Sequence, residues 1–440
     1  MRILLAVHQF FPQFRAGTET LTLRSAEELQ ARGHRVTILA AAPHQPGQPP
    51  LRRECWQGLD LIRCNPPPEA WPLTAGMARS YRHPGLQPRF QALLSELRPD
   101  LVHVFHLRRH TLSLFDAALA ARVPLVASLT DYWFTCPTGQ LQFPDQHPCP
   151  GPQADGANCL RHLAGRLAPP LLSLPPPFWH WMMLLAAVLP GSPPAALRRR
   201  PQAMAEALAR CQRVLLPSPL MWQTLVDLGF ADHHFELCPY GIDLRGLAAL
   251  PARRGWLGPV QRPLRLGFIG SFNRAKGAHV LLEAITALGP DFSAEVLLYG
   301  NPEDDRSYAD LLRRLAEPLP QVRWAGVFAA EDVFQVLHRL DLLVVPSLWR
   351  ENAPLIVLQA LASGLPLLLS DVAGMADQVN PGRNALLFPP GDSHALAGLL
   401  DGLVRQPTRL AALVNQGGTP RSIGDYGDQL EGIYARVQKR

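Results

Sequence analysis

A carboxylate stands just before a predicted helix in the most informative stretch of this sequence, residues 349–364. Pro354 suits the first position of a helix, where its missing N–H is not needed, and Gly364 suits the position just after the helix end. The residues between them are largely apolar, so only the N-terminal end should face solvent or a ligand. Free N–H groups and the helix dipole prepare that end for an anion. Glu351 beside it would repel phosphate, so its carboxylate is predicted to bind hydroxyl groups.

A second loop carries positive charge after a predicted strand. Residues 266–269 form an apolar strand, residues 270–277 follow as Gly-Ser-Phe-Asn-Arg-Ala-Lys-Gly, and a helical stretch comes next. In this arrangement Arg274 and Lys276 would bring two cations to a diphosphate. A solvated basic loop is the alternative for either residue alone, but the loop falls in the same predicted domain as Glu351.

The loop after the first predicted strand, residues 12–19, also leads into a helix. Gly17 would let the backbone approach a ligand closely at that helix N-terminus. An ordinary turn glycine is the alternative for Gly17 alone. The spaced glycines of a dinucleotide-binding fingerprint are missing, so the sequence does not support a nicotinamide or flavin cofactor.

Short apolar strands alternate with helical stretches along both halves of the chain. This order indicates right-handed parallel units, and therefore an α/β protein with two doubly wound, Rossmann-like sheets facing each other across a cleft. The predicted strands of the first half cover residues 3–7, 36–40, 101–104 and 125–129, and those of the second half cover 213–216, 266–269, 295–299, 342–345 and 365–369.

The length of 440 residues exceeds what one hydrophobic core usually serves, so two domains of about 200 residues are expected. We assign residues 1–210 to an N-terminal domain with a Cys- and Pro-rich insert at about 136–200. Residues 211–418 form the C-terminal domain. Residues 419–440 are predicted to form a helix that packs back on the N-terminal domain.

The charge balance favours anionic partners. The net charge is +6 and the pI is about 9.1. No basic stripe with interleaved aromatic residues appears, so nucleic acid is not an expected partner, and the one dense run, at residues 198–200, is predicted to open a helix. The N-terminal apolar run is too short for a signal peptide, so the chain is expected to stay in the cytoplasm.

Three cysteines and one histidine form a local set in the insert: Cys136, Cys149, Cys159 and His162. Three thiolates and one imidazole would satisfy tetrahedral zinc. Only the last pair has a tight interval, so reduced thiols in a polar loop are the alternative.

The segment at residues 171–189 is largely apolar and rich in aromatic residues. Three prolines at 175–177 interrupt it, and the uninterrupted part is too short to span a bilayer. Two interpretations stay open: a lid or connector packed on the N-terminal domain, or a segment lying on an anionic membrane surface with nearby arginines on the headgroups.

Linked motifs in a specific order and spacing resemble those of glycosyltransferase family 4, a large family of retaining GT-B enzymes that use nucleotide-sugar donors. The resemblance covers nearly the whole chain. The motifs are Ala16-Gly-Thr-Glu19, Arg32-Gly-His-Arg-Val36, Pro99-Asp-Leu-Val-His103, Asp131-Tyr-Trp-Phe-Thr-Cys-Pro137, Pro239-Tyr-Gly-Ile-Asp243, Gly270 with Lys276-Gly277, and Glu351-Asn-Ala-Pro354.

The resemblance implies roles for particular residues. Lys276 would neutralise the diphosphate as the glycosidic bond breaks, Glu351 would hold sugar hydroxyls, and Asp131 is the third implied catalytic residue. His103 and His106 are candidates for the acceptor side, with a structural histidine as the alternative for each. The implied donor-binding residues besides Lys276 are Gly17, Gly270, Ser271, Arg274, Asn352, Ala353, Pro354, Leu355 and Gln359. The reaction would retain the anomeric configuration and need no metal or other cofactor.

Three positions depart from the family pattern. Gln359 stands where a second glutamate usually binds the nucleotide ribose. The amide oxygen of glutamine can still accept a hydrogen bond from a ribose hydroxyl, but it lacks the negative charge of a carboxylate. Ser271 stands where an arginine is common, and Thr130 stands where a histidine often reaches toward the transferred sugar.

The sequence therefore predicts a glycosyltransferase that moves a sugar from a nucleotide-sugar donor to a glycan or lipid-linked acceptor, in the cytoplasm or peripherally on the inner membrane face. The three departures motivate an alternative, a catalytically weak GT-B protein that acts as a binding or scaffold subunit in glycan assembly. A nucleotide-sugar epimerase shares the fold, but the linked motifs follow the glycosyltransferase pattern.

Overall fold

A computed structural model describes residues 1–68, 76–144, 147–186, 189, 191–253, 255–256, 258–259, 262–418 and 420–439. Two predicted segments are only partly covered: the described residues exclude 187 and 188 of the apolar segment and 419 and 440 of the predicted C-terminal helix. The chain divides into two compact units. The N-terminal unit contains Met1–Pro239 and Ile423–Arg440, and the C-terminal unit contains Tyr240–Ser422.

An eight-stranded sheet forms the centre of the N-terminal unit, in the order β3-β4-β2-β1-β5-β6-β7-β8. The edge pair β3 and β4 is antiparallel and the other neighbours are parallel. Strands β5 and β6 are buried along their whole length, and β1 is buried after its first residue, because helices cover both faces of a doubly wound sheet. The strands are β1 (Arg2–Val7), β2 (Arg35–Ala41), β3 (Leu51–Trp56), β4 (Leu59–Cys64), β5 (Leu101–Val104), β6 (Leu125–Ser128), β7 (Arg213–Leu216) and β8 (Phe235–Leu237). The helices before the domain boundary are α1 (Gly17–Ala31), α2 (Gln87–Leu97), α3 (Ser113–Ala120), α4 (Ala157–Leu167), α5 (Pro176–Ala186), α6 (Pro193–Ala209) and α7 (Pro219–Asp227).

A six-stranded, wholly parallel sheet forms the centre of the C-terminal unit, in the order β11-β10-β9-β12-β13-β14. Its strands are β9 (Leu264–Ile269), β10 (Ala294–Tyr299), β11 (Val322–Gly326), β12 (Leu342–Val345), β13 (Leu367–Ser370) and β14 (Ala385–Phe388). Its helices are α8 (Ala278–Leu288), α9 (Arg306–Ala316), α10 (Val333–His338), α11 (Leu355–Ala362), α12 (Ser393–Arg405) and α13 (Pro407–Leu413). Pro354 is the residue just before α11, one position earlier than its sequence suggested.

The last helix, α14 (Ile423–Gln438), belongs to the N-terminal unit. Arg32 at the end of α1 forms ion pairs with Asp428 and Glu431, at 2.5 and 2.8 Å. His34 Nε2 lies 2.8 Å from Glu431 Oε1. Hydrogen bonds from Arg32 and His34 lower the pKa of the Glu431 carboxyl below its usual value. Charged residues at the C-terminal end of α1 and in the middle of α14 therefore attach the tail of the chain to α1.

The boundary between the units differs from the sequence assignment. The strand at residues 213–216, assigned to the second domain from its sequence, pairs in parallel with β6 in the first sheet. The boundary lies after Pro239 and not at residue 210, because α6 is a crossover helix between two strands of one sheet. Local apolar patterning identified this strand but carried no information about its neighbour.

Helix α1 buries one carboxyl group completely. Glu19 is 0% exposed, and its Oε1 lies 3.6 Å from His8 Nε2. Within the described chain neither oxygen meets the geometry of a hydrogen bond. Burial raises the pKa of Glu19 to about 7, and weak interactions with its own backbone and Gln9 offset only part of that rise. Burial also lowers the pKa of His8 well below its usual value, so the neutral forms of both groups are favoured.

Replacing Glu19 by glutamine should remove a pH dependence of stability. The native pKa of about 7 lies above the ordinary 4.5, so the native state keeps a proton that the unfolded chain releases in this interval. The free energy of unfolding should therefore fall as pH rises from about 4.5 to about 7. Glu19→Gln keeps the shape and cannot ionise, so urea denaturation should find it more stable than the parent above pH 7 and little changed at low pH.

The matched control is Glu27→Gln, on the same helix but with a partly exposed side chain. It should leave the pH profile of stability as in the parent. Equal slopes of stability against pH in the parent and Glu19→Gln would show that the buried carboxyl is not responsible.

Candidate active site

Lys276 and Glu351 form an ion pair in the C-terminal unit, with Nζ 2.7 Å from Oε1. Glu351 is 4% exposed, and its Oε1 also accepts hydrogen bonds from Ser347 Oγ and Trp349 Nε1, each at 2.8 Å. Lys276 Nζ lies 5.2 Å from the centre of the Trp349 ring, within range of a cation–π interaction. Oε1 thus has three donors, all from side chains of the C-terminal unit.

Two glycines allow the loops around this pair to approach closely. A Cβ on Gly277, where φ is +71°, would lie 1.8 Å from Pro346 O. A Cβ on Gly374, where φ is +83°, would lie 1.7 Å from Glu351 O. No other residue fits at these distances or tolerates this backbone conformation well. The loops after β9, β12 and β13 meet at these glycines.

Backbone contacts, and not side-chain contacts alone, place Lys276. It ends a short 3₁₀ turn, Arg274–Lys276, and Asn273 Oδ1 accepts a hydrogen bond from Lys276 N at 3.2 Å. Leu348 N donates to Ala275 O at 2.8 Å, which joins this turn to the loop after β12. These contacts fix the backbone of Lys276, and the ion pair with Glu351 orients its ammonium group.

The other donor-side candidates differ in where their side chains lie. Asn352 and Ala353 are buried in the two residues before Pro354, at the N-terminal end of α11. Gln359 is half-buried on the same helix. Arg274 is exposed, and within the described chain its side chain forms no hydrogen bond or ion pair. The structure therefore brings Lys276 to Glu351 but does not bring Arg274 there.

Gly270 and Ser271 lie half-buried directly after β9. The Ser271 hydroxyl interacts with Asp304, whose pKa is raised by burial and lowered in part by hydrogen bonds. Leu355 is the first residue of α11. These three positions share the carboxyl-terminal edge of the sheet with Lys276, the edge where ligands bind in sheets of this kind.

In the N-terminal unit, His106 and Asp131 are hydrogen-bonded. Arg108 N donates to His106 Nδ1 at 3.0 Å, so the ring proton is on Nε2, which donates to Asp131 Oδ2 at 2.8 Å. Asp131 Oδ1 accepts from Trp133 N at 2.8 Å. The Asp131 side chain is 28% exposed. It is therefore held in one orientation while still accessible to a ligand.

His103 has a structural role, which corrects its placement among the acceptor-side candidates. It is fully buried, with Nδ1 2.6 Å from Tyr434 Oη and Nε2 2.8 Å from Ser128 Oγ. Burial lowers the pKa of His103 to about 3. Both ring nitrogens are occupied, so this histidine joins β5 to α14 and β6. Thr130, in the position where the family often has a histidine, donates its hydroxyl to Phe105 O at 3.0 Å.

His8 was missed by sequence reasoning. Its ring lies 4.1 Å from the ring of His106, and its Nε2 faces Glu19. The signal was its place directly after β1, just as His106 follows β5 and Asp131 follows β6. Polar residues at the carboxyl ends of neighbouring parallel strands meet at one edge of the sheet.

Gly17 is the first residue of α1, and a Cβ built on it would have no atom within 4 Å. Packing within the protein therefore does not require glycine there. The open space beside the N-terminus of α1 is what close approach of a ligand would need.

Arg200 supports the loop that carries Asp131. The guanidinium group lies 5.3 Å from the centre of the Trp133 ring and also donates to Trp133 O. It is 2% exposed, and burial lowers its pKa to about 10. The arginine run at residues 198–200 thus lies inside α6 and does not open it, and one of its members reaches into the core.

The cysteine set does not form the zinc site that its sequence suggested. Its four members line one small cavity: Cys136, Cys149, Cys159 and His162. Among the described residues, however, no three metal-binding side chains are grouped closely enough to hold an ion. Cys136 Sγ instead lies 3.1 Å from Thr138 Oγ1. Burial raises the pKa of Cys159 to about 12 and also raises that of Cys149, which favours thiols over thiolates.

The chain matches two family models. Most of one match lies in the N-terminal unit, and the other match lies in the C-terminal unit. Residues 15–245 match Glycosyltransferase Family 4, and residues 263–406 match Glycosyl transferases group 1. One curated relative is D-inositol 3-phosphate glycosyltransferase of Rhodococcus erythropolis, 33% identical over 34% of this chain and 35% of that protein. Another is GDP-mannose-dependent alpha-mannosyltransferase of Mycobacterium tuberculosis, 28% identical over 52% of this chain and 57% of that protein. The alignments thus span about a third to somewhat over half of the relatives' length.

Solved structures share the fold over nearly the full chain. Anabaena Alr3699/HepE, in complex with UDP and glucose, has a TM-score of 0.65 at 15% identity and covers 98% of this chain and 99% of its own. Sucrose-phosphate synthase from Thermosynechococcus elongatus has a TM-score of 0.61 at 17% identity and covers 100% of this chain and 97% of its own. These likenesses confirm the predicted GT-B fold. Because a single family model covers more than half of the residues, the chain belongs to glycosyltransferase family 4.

Proposed function

We propose that the protein transfers a sugar from a nucleotide-diphosphate sugar to a glycan or lipid-linked acceptor, with retention of configuration and without a catalytic metal. The Lys276–Glu351 pair beside the N-terminal end of α11 is the observation that carries this proposal. A cation, free backbone N–H groups and a hydroxyl-binding carboxylate stand together there. A cytoplasmic location, within reach of nucleotide sugars, is part of the proposal.

In this proposal Lys276 and the first turn of α11 stabilise the departing diphosphate. Negative charge grows on the phosphate oxygen as the glycosidic bond breaks, and donors that are already in position need no reorganisation. Lys276 is fixed by its 3₁₀ turn and by Glu351, and the N–H groups of α11 are fixed by the helix. These donors provide positive charge without a divalent cation.

Glu351 is proposed to bind sugar hydroxyls and not to attack the sugar. Three donors on Oε1 stabilise the anion, which lowers its strength as a nucleophile. Oε2 can still accept hydrogen bonds from the donor sugar. Attack by the acceptor hydroxyl on the face that the diphosphate leaves would then retain the configuration. The acceptor proton passes to the departing phosphate oxygen, so the step balances without an enzyme nucleophile.

The N-terminal unit is proposed to bind the acceptor. Asp131 is partly exposed and fixed by His106 and the Trp133 backbone, so its carboxylate can hold an acceptor hydroxyl in one orientation. His106 acts as a positioning residue because both of its ring nitrogens are occupied. The polar cluster with His8 lies at the same edge of the sheet.

The nature of the nucleotide can be tested directly. The names of similar proteins mention UDP and GDP-mannose. The full chain should be incubated with UDP-, GDP- and ADP-sugars, and released nucleoside diphosphate and thermal stabilisation should be measured. We expect slow hydrolysis of one donor class together with stabilisation by its nucleotide. Stabilisation without hydrolysis or transfer would favour the scaffold alternative, and the absence of both across the panel would count against a nucleotide-sugar site.

Lys276→Ala should reduce donor hydrolysis about 100-fold. Loss of one preorganised donor to a developing anion typically costs about 3 kcal/mol of transition-state stabilisation. The control is Arg306→Ala, which removes an exposed cation that pairs with Glu303 in the same unit. Initial rates at saturating donor should fall for Lys276→Ala and stay as in the parent for the control. Equal rates for all three proteins would remove Lys276 from the mechanism.

Trp349→Phe should weaken donor binding more than it slows the reaction. The substitution keeps the ring beside Lys276 but removes the N–H donor to Glu351, a hydrogen bond to a charged group worth about 1.5–3 kcal/mol. We expect the donor KM to rise about tenfold or more, with a smaller fall in kcat.

Trp256→Phe is the matched control for this variant. It removes an indole hydrogen bond of similar length, 3.0 Å to Arg262 O, elsewhere in the same unit. It should lower thermal stability and leave the donor KM unchanged. An unchanged KM in Trp349→Phe as well would show that the indole does not position Glu351 for the sugar.

A further inference from the structure

Exposed apolar side chains are concentrated in one segment of the N-terminal unit. Among the residues that the structure describes, half of the exposed large hydrophobic side chains fall within residues 167–189. Their exposed fractions range from 37% to 62%. We call this surface the α5 face; its members are Leu167, Phe178, Trp181, Leu184 and Leu189.

Helix α5 is apolar on two sides. Trp179 and Met183, spaced by four residues, are buried on the inner side, where α5 packs against α4 and α6. Phe178, Trp181 and Leu184, spaced by three residues, point outward. A surface helix usually presents polar residues to water, and a helix that is apolar all round is usually covered. The outer side of α5 therefore has the composition of a surface that another apolar phase covers.

The same part of the sequence carries charge of only one sign. From residue 156 to residue 205 the sequence has no Asp or Glu. The arginines in this stretch are Arg161, Arg166, Arg198, Arg199 and Arg200. Arg166, Arg198 and Arg199 are exposed, and the last two lie on α6, the helix against which α5 packs. Arg198 also pairs with Asp155, just before this stretch, at 3.3 Å, and both side chains stay about half exposed.

We propose that the α5 face binds an anionic lipid bilayer surface. Phe178, Trp181 and Leu184 enter the boundary between headgroups and acyl chains, where tryptophan is especially favourable. Arg198 and Arg199 contact lipid phosphates. This inference goes beyond the transfer reaction and does not depend on it.

The observations favour a lipid surface over a protein partner. An interface with a protein is usually depleted of charge at its centre and balanced by the partner at its rim. Here the outward apolar and aromatic side chains of α5 lie within a fifty-residue stretch that has arginines and no acidic residue, which suits a surface covered by anionic lipid. Among the described helices none is long and apolar enough to cross a bilayer, so we assign α5 a position along the surface.

The direct test is cosedimentation of the full chain with lipid vesicles. Vesicles of phosphatidylglycerol mixed with phosphatidylcholine should bind the protein at low salt. Vesicles of phosphatidylcholine alone should bind it at least tenfold more weakly, and added salt should weaken binding to the anionic vesicles. No binding to anionic vesicles at low salt would overturn the proposal.

Paired substitutions test the apolar and the charged parts separately. Trp181→Ser with Leu184→Ser should weaken vesicle binding at least tenfold, whereas Val226→Ser, an exposed apolar residue on α7, should not. Arg198→Gln with Arg199→Gln should weaken binding about fivefold for each arginine removed. Arg306→Gln with Arg405→Gln, two exposed arginines of the C-terminal unit, is the matched control for charge.

Thermal unfolding of each variant shows whether it has folded. If the double serine variant does not fold, Leu184→Ser alone keeps the test open, with a smaller loss of binding expected. Binding that is equal in the parent and the α5 variants would overturn the proposal. A different result would also overturn it: the parent self-associates without binding vesicles, and the serine substitutions abolish the self-association. That result would assign the face to a second protein chain.

Discussion

The C-terminal unit is organised around a carboxylate that is almost completely buried. A buried charge is costly unless it is paired and hydrogen-bonded, and Glu351 is paired with Lys276 and bonded to Ser347 and Trp349. The lysine in turn needs its 3₁₀ turn, and the turn needs Gly277 to pass the carbonyl of Pro346. The loops after β9, β12 and β13 therefore cannot move independently without exposing or separating this pair. The constraint keeps Oε1 of Glu351 within hydrogen-bond distance of three donors.

The N-terminal unit uses the same geometry with different residues. His8, His106 and Asp131 each follow a parallel strand, and strands β1, β5 and β6 are adjacent in the sheet. Parallel order alone therefore gathers three polar side chains that are far apart in the sequence. Here the buried carboxyl, Glu19, lacks a strong donor, and burial raises its pKa, whereas Glu351 has three donors. Each unit thus buries a carboxyl group, but the one in the C-terminal unit is stabilised by three donors and the one in the N-terminal unit is not.

Local sequence signals were enough for the fold and for placing the loops of Lys276 and Glu351, which the structure pairs, in one domain. Apolar runs located most strands to within a few residues, and the proline and glycine around α11 located its ends. The sequence could not assign β7 to a sheet, because a strand pattern does not name its neighbour. It could not separate His103 from His106, since only packing shows that Tyr434 and Ser128 occupy both nitrogens of His103. Trp349 was visible in the key segment, but its hydrogen bond to Glu351 depends on the path of the loop.

The insert between β6 and β7 links the two proposals. Through Arg200, α6 holds the backbone and ring of Trp133, and Trp133 N holds Asp131. Helix α6 also packs against α5, whose outer face is apolar. One insert therefore carries both the support of the acceptor-side carboxylate and the surface assigned to lipid. Helix α6 is therefore the physical connection between the two proposals. Arg200, which supports Trp133, and the exposed Arg198 and Arg199 of the proposed lipid surface are consecutive residues of this one helix.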